Sequence, residues 1–381
     1  MPDDKVYLDL AARLALRAAG DVEPNPLVGC VLVSPAGAVI GMGHHRRFGG
    51  PHAEREALES CRRQGFEARG ATAYVTLEPC NGAGKQPACV DALLEAGVSR
   101  VVYAASDPSP GKGGGGERLR SAGVEVARSG ASELAASLSE PWALRRRLGR
   151  PWVIAKWAQT LDGRVATRAG ESKWISSEAS RRRVHRLRAR VDAIVTGLGT
   201  VLADDPMLTA RGVRRVRRRA ARVVVDTDLE IPESCRLVAT AREFPTVVAC
   251  ARELLSAEIA REKRSRLERA GVRLLGVESS PAGRLDLRSL TGALLREMGV
   301  ATVLLECGPG LLGAMLEQDL VDEAVVYVAP LILGDELARG VAEGRVAPSL
   351  SAGRLFRLCR ARPTGGDVEL TYRRRLEGGV G

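Results

Sequence analysis

With 381 residues, 45% hydrophobic and 27% charged, the chain has an ordinary globular composition and enough length for two domains, each with its own core. Its longest apolar runs, such as Val325 to Leu333, are short and interrupted, and Met1-Pro2-Asp3-Asp4-Lys5 lacks a signal-peptide pattern, which excludes a membrane partner and points to the cytoplasm. A net charge of +11 would ordinarily raise nucleic acid as a partner, but lysine stands only at Lys5, Lys85, Lys112, Lys156, Lys173 and Lys263, so the excess is an arginine bias spread over the chain, and 3% aromatic residues leave few stacking platforms.

The first half alternates helix and strand. A helix from Val6 to Ala19 precedes a Pro-Asn-Pro turn, and Gly29 to Val33 with Ala38 to Gly41 reads as a hairpin through Pro35-Ala36-Gly37. A helix after His52, a strand from Ala73 to Leu77, a helix from Pro87 to Ala96 and a strand from Arg100 to Ala104 follow. This order predicts a three-layer α/β domain. Gly111-Lys112-Gly113-Gly114-Gly115-Gly116 lacks the Lys-Ser/Thr ending of a phosphate loop and reads as a flexible connection; a helix from Ala131 to Leu148 closes the half.

Within this half, His52-Ala53-Glu54 is followed by Pro79-Cys80 and then Cys89. One imidazole and two thiolates leave zinc a fourth tetrahedral position for a water, whose pKa the metal lowers toward ~7, and the non-ligand carboxylate of Glu54 can then move the proton. This is the ligand set of a zinc-dependent deaminase, in which hydroxide attacks an amidine-like ring carbon. The interval from Cys80 to Cys89 is longer than the usual two residues, but Gly82, Gly84 and Pro87 allow a looped excursion that returns Cys89 to the start of a helix. Core cysteines or a structural zinc pair are the alternative, and His52-Ala53-Glu54 weighs against it. Eight scattered cysteines fit a reducing compartment better than a disulfide framework.

Gly149-Arg150-Pro151 marks a boundary, after which the pattern restarts. Strands read at Trp152 to Ala158, Asp192 to Thr196, Arg222 to Asp226, Thr246 to Ala251, Val272 to Val277, Ala301 to Leu305, Glu323 to Ala329 and Val368 to Arg373, with a helix from Ser177 to Arg190. Gly308-Pro309-Gly310-Leu311-Leu312-Gly313 follows a strand and opens a helix, as in a turn that brings backbone amides to a pyrophosphate. No ribose-binding acid ends the next strand, so the site reads as a dinucleotide site on a non-Rossmann sheet, with glycines for close helix packing as the alternative. Gly170 to Ser176 and Gly197 to Pro206 are polar enough for ligand loops, though Ser177 and Asp205-Pro206 also read as a cap and a turn. The run Arg211 to Arg222 reads as a solvated loop whose field an anionic substrate would feel.

In this order, Pro24 to Cys30, Pro51-His52-Ala53-Glu54, Val75 to Cys80, Leu161-Asp162-Gly163-Arg164, Gly170 to Ile175, Thr200 to Pro206 and Leu320-Val321-Asp322-Glu323 resemble the bifunctional riboflavin-biosynthesis deaminase-reductase family over almost the whole chain. The resemblance implies a cytidine-deaminase-like three-layer α/β/α domain over 1–148 and a dihydrofolate-reductase-like α/β domain over 149–381. The first would remove the 2-amino group of a diaminopyrimidinone carrying ribosylamine 5-phosphate, and the second would use NADPH to reduce the ribosyl to a ribityl chain.

Carried over by position, one zinc falls to His52, Cys80 and Cys89 with Glu54 as proton shuttle, and Asn25, His45 and Lys85 line the substrate side. Ala158, Trp174, Thr200, Asp204, Thr227 and the stretch Gly308, Pro309, Gly310, Leu311, Leu312, Gly313 and Ala314 match cofactor positions. Ser172, Arg188, Leu208, Arg211 and Glu306 match substrate positions, with Arg188 and Arg211 suited to a phosphate dianion. A homo-oligomer, dimer or tetramer, is implied as well. One departure stands out: Gly82 takes the place of a family His, and Ala83 and Ala88 replace other common loop residues, so Gly82→His is expected to lower the Michaelis constant for deamination. A related pyrimidine in a specialised pathway and a nucleic-acid-editing deaminase are the alternative functions.

Overall fold

In the computed structural model, which describes residues 4–82, 86–344 and 347–375, the chain divides at Leu148/Gly149 into two units. The first runs α1 (Asp4–Ala15), β1 (Gly29–Val33), β2 (Val39–His44), α2 (Ala53–Arg63), β3 (Thr72–Leu77), α3 (Cys89–Glu95), β4 (Arg100–Ala105), α4 (Gly115–Ser121), β5 (Glu125–Arg128), α5 (Glu133–Ser137) and α6 (Glu140–Leu148). The sheet order is β2-β1-β3-β4-β5, with β1 antiparallel to both neighbours and β3, β4 and β5 parallel.

Side chains alternate across this sheet with period two, and that alternation produces the three layers. Cys30, Leu32, Ala73, Val75 and Val101 pack against Ala57, Leu58, Leu93 and Leu119 of α2, α3 and α4. Val31, Val33, Tyr74 and Val102 pack on the other face against Leu8, Ala11, Ala12 and Ala135. Helix α2 lies unusually close to the hairpin, because a Cβ at Gly43 would fall 2.3 Å from the Ala57 amide nitrogen. The α/β/α class expected from the sequence holds.

Two elements differ from expectation. The single helix expected from Ala131 to Leu148 is two, α5 capped by the Ser132 hydroxyl and α6 restarting with Pro141 in its first turn, where the missing proline N–H costs nothing. The glycine run is not a flexible connection, since it leads directly into α4, and β5 then adds a strand to the sheet edge.

The second unit comprises β6 (Trp152–Gln159), β7 (Arg164–Ala166), α7 (Glu178–Arg188), β8 (Ala193–Gly197), α8 (Leu198–Asp204), β9 (Ala221–Val225), α9 (Arg236–Ala239), β10 (Thr246–Ala251), α10 (Arg261–Arg269), β11 (Val272–Val277), α11 (Leu287–Met298), β12 (Thr302–Leu305), α12 (Pro309–Glu317), β13 (Glu323–Val328), β14 (Arg339–Gly340), β15 (Phe356–Thr364) and β16 (Asp367–Arg374). Its main sheet has the order β11-β10-β9-β8-β12-β6-β13-β16-β15. It is parallel from β11 to β13 and closes with an antiparallel hairpin. β12 inserts between β8 and β6, so the strand order reverses there, and in open α/β sheets ligands bind outside the carboxyl ends of strands at such a point. Leu290, Leu294, Leu312 and Met315 of α11 and α12 cover a face made by Val153, Val195, Val223 and Val303.

Gly197 to Pro206, read as a loop, contains α8, and the basic run that precedes β9 ends inside the core. Arg222 is fully buried and donates to the carbonyls of Met207, Leu237, Thr240 and Phe244 and to the hydroxyls of Thr240 and Thr246. Burial pushes its guanidinium down to about 10. Arg222→Ala is therefore expected to destabilise this unit by about 3 kcal/mol, because several buried carbonyls lose their donor together. The denaturant midpoint of the unit's unfolding transition measures this, and an unchanged midpoint would contradict the role.

Candidate functional site

In the first unit three elements deliver one ligand each. His52 is the N-cap residue of α2, Cys80 follows the end of β3, and Cys89 is the first residue of α3. His52 Nδ1 lies 3.6 Å from Cys80 Sγ and 3.3 Å from Cys89 Sγ, and all three ligand atoms fall within 4.8 Å of one another. Tetrahedral zinc with its usual bond lengths to thiolate and imidazole sets N···S separations of about 3.5 Å, so the residues present fit that metal. The Cys89 amide also donates to Cys80 Sγ at 3.4 Å.

The hydrogen bond from Cys89 and, against burial, the His52 imidazole hold Cys80 down at about 4, while the hydrogen bond to Cys80 and burial push Cys89 up. Glu54, in the first turn of α2, is buried, and burial raises its carboxyl above the usual range, with the nearby Cys80 adding to the rise. A carboxyl poised upward beside a metal-ligand cluster has the character of a general acid and base.

Asn25 and His45 reach the same region. His45 Nδ1 donates to the Pro51 carbonyl at 2.9 Å, which leaves Nε2 to accept the Asn25 amide at 3.1 Å, and burial lowers the ring's pKa so that it stays neutral. The His45 and His52 rings meet edge to face with centroids 5.5 Å apart. Lys85 and Ala83 lie outside the described residues.

In the second unit the candidates gather at the carboxyl ends of the parallel strands. Glu306, just past β12, is buried and receives two hydrogen bonds from Arg188, at 2.6 and 2.9 Å, and an ion pair from Lys156 at 3.2 Å. Burial alone would raise its carboxyl, but Arg188 and then Lys156 outweigh burial and hold it well below the usual carboxylate range. Arg188 also donates to the Thr209 carbonyl, so three of its N–H groups are committed within the protein. Two of its five N–H groups remain for a phosphate, where the sequence suggested the whole fork. Lys156 is the functional candidate that sequence patterns did not single out. The available signal was a rare lysine inside the apolar strand Trp152 to Trp157, where an ammonium needs a partner.

The cofactor-side residues assemble in part. The Thr200 hydroxyl accepts the Gly308 amide at 3.1 Å, and Lys173 pairs with Asp204 at 2.8 Å, which ties the loop bearing Ser172 and Trp174 to α8. Exposed Trp174 carries the Arg181 guanidinium over its ring. Gly308 caps α12, Pro309 starts it, and Leu311 packs beside Gly197. The two readings of the glycines divide by position: a Cβ at Gly313 would sit 1.6 Å from the Glu343 carbonyl oxygen, a packing demand, whereas at Gly308 and Gly310 nothing lies closer than 3.8 Å. Leu312 is buried beneath the helix, and Ala314 follows it on α12. Ala158 lies near the end of β6 and Thr227 two residues past β9, Leu208 is buried with φ 48°, and the Arg211 amide lies 3.2 Å from His185 Nδ1.

The family pattern described as the cytidine and deoxycytidylate deaminase zinc-binding region matches residues 1–105, and that of the RibD C-terminal domain matches 151–368. The chain is 39% identical to the riboflavin biosynthesis protein RibD of Aquifex aeolicus, over 88% of this chain and 90% of that one, and 39% identical to that of Escherichia coli strain K12, over 96% and 98%. Among solved structures, Acinetobacter baumannii RibD superposes with a TM-score of 0.77 at 33% identity, covering 98% of this chain and 99% of that one. The diaminohydroxyphosphoribosylaminopyrimidine deaminase/5-amino-6-(5-phosphoribosylamino)uracil reductase of Thermotoga maritima gives 0.78 at 32% identity with the same coverage. Fold and site thus define a zinc-dependent deaminase joined to an NADPH-dependent reductase. The chain belongs to the RibD family, the bifunctional deaminase-reductases of riboflavin biosynthesis, which removes the nucleic-acid-editing alternative. No helix among the described residues is long and apolar enough to cross a membrane.

Gly82 has a structural reason. A Cβ there would fall 2.5 Å from the Gly111 carbonyl oxygen, so the position is a close approach of two backbones and a side chain cannot be added without moving one. The expectation that Gly82→His improves deamination is therefore reversed. That substitution is expected to weaken zinc retention about tenfold and to lower deamination with it, while reduction is unaffected. Zinc titration of the variant beside a reductase assay checks this.

Proposed function

We propose that the chain deaminates the diaminopyrimidinone carrying ribosylamine 5-phosphate at the His52, Cys80, Cys89 and Glu54 site and reduces the product's ribosyl group with NADPH at the carboxyl edge of β6, β8 and β12. The observation that carries the first step is the convergence of one imidazole and two thiol sulfurs within 4.8 Å beside a buried carboxyl that is not a ligand. Bound zinc supplies a water acidic enough to be hydroxide near neutral pH. Glu54 would carry two protons in turn, that of the attacking water to the ring nitrogen and that of the hydroxyl formed at the ring carbon to the amino group leaving as ammonia, which a carboxyl raised by burial does more readily than an exposed one. Asn25, fixed by the neutral His45 ring, keeps its amide oxygen available for the pyrimidine.

In the reductase half, bound NADPH supplies the hydride. Glu306 is kept ionised by Arg188 and Lys156, so the crevice presents a carboxylate for ribosyl hydroxyls and an ammonium able to give a proton to the developing alkoxide. Thr200 fixes Gly308 at the start of α12, where free amides favour a pyrophosphate. This reading implies the cytoplasm as its compartment, and a dimer or tetramer is expected in sedimentation experiments. A related pyrimidine is the second reading, favoured by the closed backbone contact at Gly82.

Incubation of the full chain with the diaminopyrimidinone ribosyl phosphate, with and without NADPH, followed by mass analysis of products tests the assignment. Without NADPH only the deaminated product is expected; no mass change would reject this substrate. Glu54→Gln should keep zinc, lose deamination by several orders of magnitude and still reduce the deaminated compound, because the two sets of groups lie on separate units. Loss of zinc with that change would remove Glu54 from its role. Arg188→Ala should raise the Michaelis constant for the pyrimidine at least tenfold and leave that for NADPH nearly unchanged, and the opposite split would reverse the division of the crevice.

A further inference from the structure

Besides the amides of Cys89 and Val90, which reach Cys80 Sγ at 3.4 Å and the Cys80 carbonyl at 3.3 Å, the chain around Cys80 is held by one stretch, Asp107 to Arg118. Glu78, two residues before Cys80, is 8% exposed and uses both carboxylate oxygens on that stretch, accepting the Asp107 amide at 3.1 Å and the Gly116 amide at 2.9 Å. The Pro79 carbonyl lies so close to Gly115 that a Cβ there would stand 1.8 Å from its oxygen. Asn81, the residue after Cys80, donates its amide to the Lys112 carbonyl at 2.9 Å, and Gly82 abuts Gly111. Arg118 then spans the two thiolate-bearing segments, donating through Nη1 to Asn81 Oδ1 at 3.1 Å and through Nη2 to Asp91, two residues beyond Cys89.

We propose that the Asp107–Arg118 segment is an outer clamp of the metal site, with Glu78 and Arg118 as its positioning residues. The proposal rests on the zinc-site reading above and adds the groups that set where the second and third ligands stand. The interval between Cys80 and Cys89 does not fix their separation by local geometry, as a two-residue spacing within one turn would. Two direct amide contacts join the segments, and they are reinforced from outside by a carboxylate that pins the strand end and a guanidinium that bridges to α3. Partners that orient metal ligands without touching the metal change affinity by about ten- to a hundredfold when removed. Arg118 is half exposed, so the charge attraction of its pair with Asp91 is screened and its contribution is mainly geometric.

Glu78→Gln tests the anchor with almost no change of shape: the amide can accept on one side but turns an N–H toward a backbone N–H on the other. Arg118→Ala tests the bridge at a site whose exposure tolerates truncation, and it keeps the test decisive should the Glu78→Gln chain fold poorly. The zinc-loaded full chain and both variants are mixed with a chromogenic chelator, and each is also reconstituted with cobalt(II) so that the thiolate-to-metal absorption reports the ligand geometry. Zinc release about tenfold or more faster in Glu78→Gln, clearly faster in Arg118→Ala and partly restored in Arg118→Lys, with a shifted cobalt spectrum and unchanged reduction of the deaminated pyrimidine, is the expected result. Release rates and spectra identical to those of the unsubstituted chain in both variants would overturn the clamp. An unsubstituted chain that holds no zinc at all would instead overturn the metal-site reading, and the clamp with it.

Discussion

Parallel strands cannot be joined by tight turns, and this constraint organises both halves of the molecule. Each parallel strand must be followed by a crossover, so the chain leaves the parallel part of the sheet repeatedly at the same carboxyl edge, where polar groups from distant segments collect. In the first unit β3 and β4 run parallel with Leu77 opposite Ala105, so Glu78 to Gly82 and the Asp107–Arg118 stretch emerge side by side. In the second unit β12 stops at Leu305, level with Ala155 of β6 and Val195 of β8, so Glu306 leaves the sheet beside Lys156 and meets Arg188 at the end of α7.

Two buried glutamates illustrate how surroundings assign opposite characters to the same side chain. Glu306 sits between a guanidinium and an ammonium and is held ionised, a fixed negative charge around which ligand groups can be oriented. Glu54 has no lysine or arginine paired with it among the described residues, and burial together with the nearby Cys80 sulfur raises it, so its proton is available for transfer. Burial penalises both. Paired charge decides the sign.

The arginine excess also acquires an explanation in particular contacts. Arg150 forms a two-pronged pair with Asp322 at 2.7 Å for each bond, joining the start of β6 to the start of β13. Arg183 and Arg360 share the buried Glu369 across the terminal hairpin, and Arg222 serves as a buried hub for carbonyls. Arginine suits these places because its planar fork satisfies several acceptors at once. A charge of +11 therefore reflects internal architecture as much as surface, and it does not identify an anionic partner.

The zinc ligands, Glu54 and the alternation that builds the three-layer unit were all legible in the sequence, because each rests on residue type and short spacing: a histidine at a helix start, cysteines after a strand and at the next helix, apolar residues every second position. The strands of the second unit's main sheet from β6 to β13 were legible for the same reason, but the short β7 and β15 were not, the exposed and arginine-rich residues of β15 carrying no apolar pattern. What only the tertiary structure decided are the partners: Arg188 with Glu306 across 118 residues, Lys156 as their third member, Gly82 against Gly111, Gly313 against Glu343, and the glycine run as a packed brace. Such contacts depend on which strand ends lie next to one another in the sheet, and nothing in the local chain encodes that neighbour.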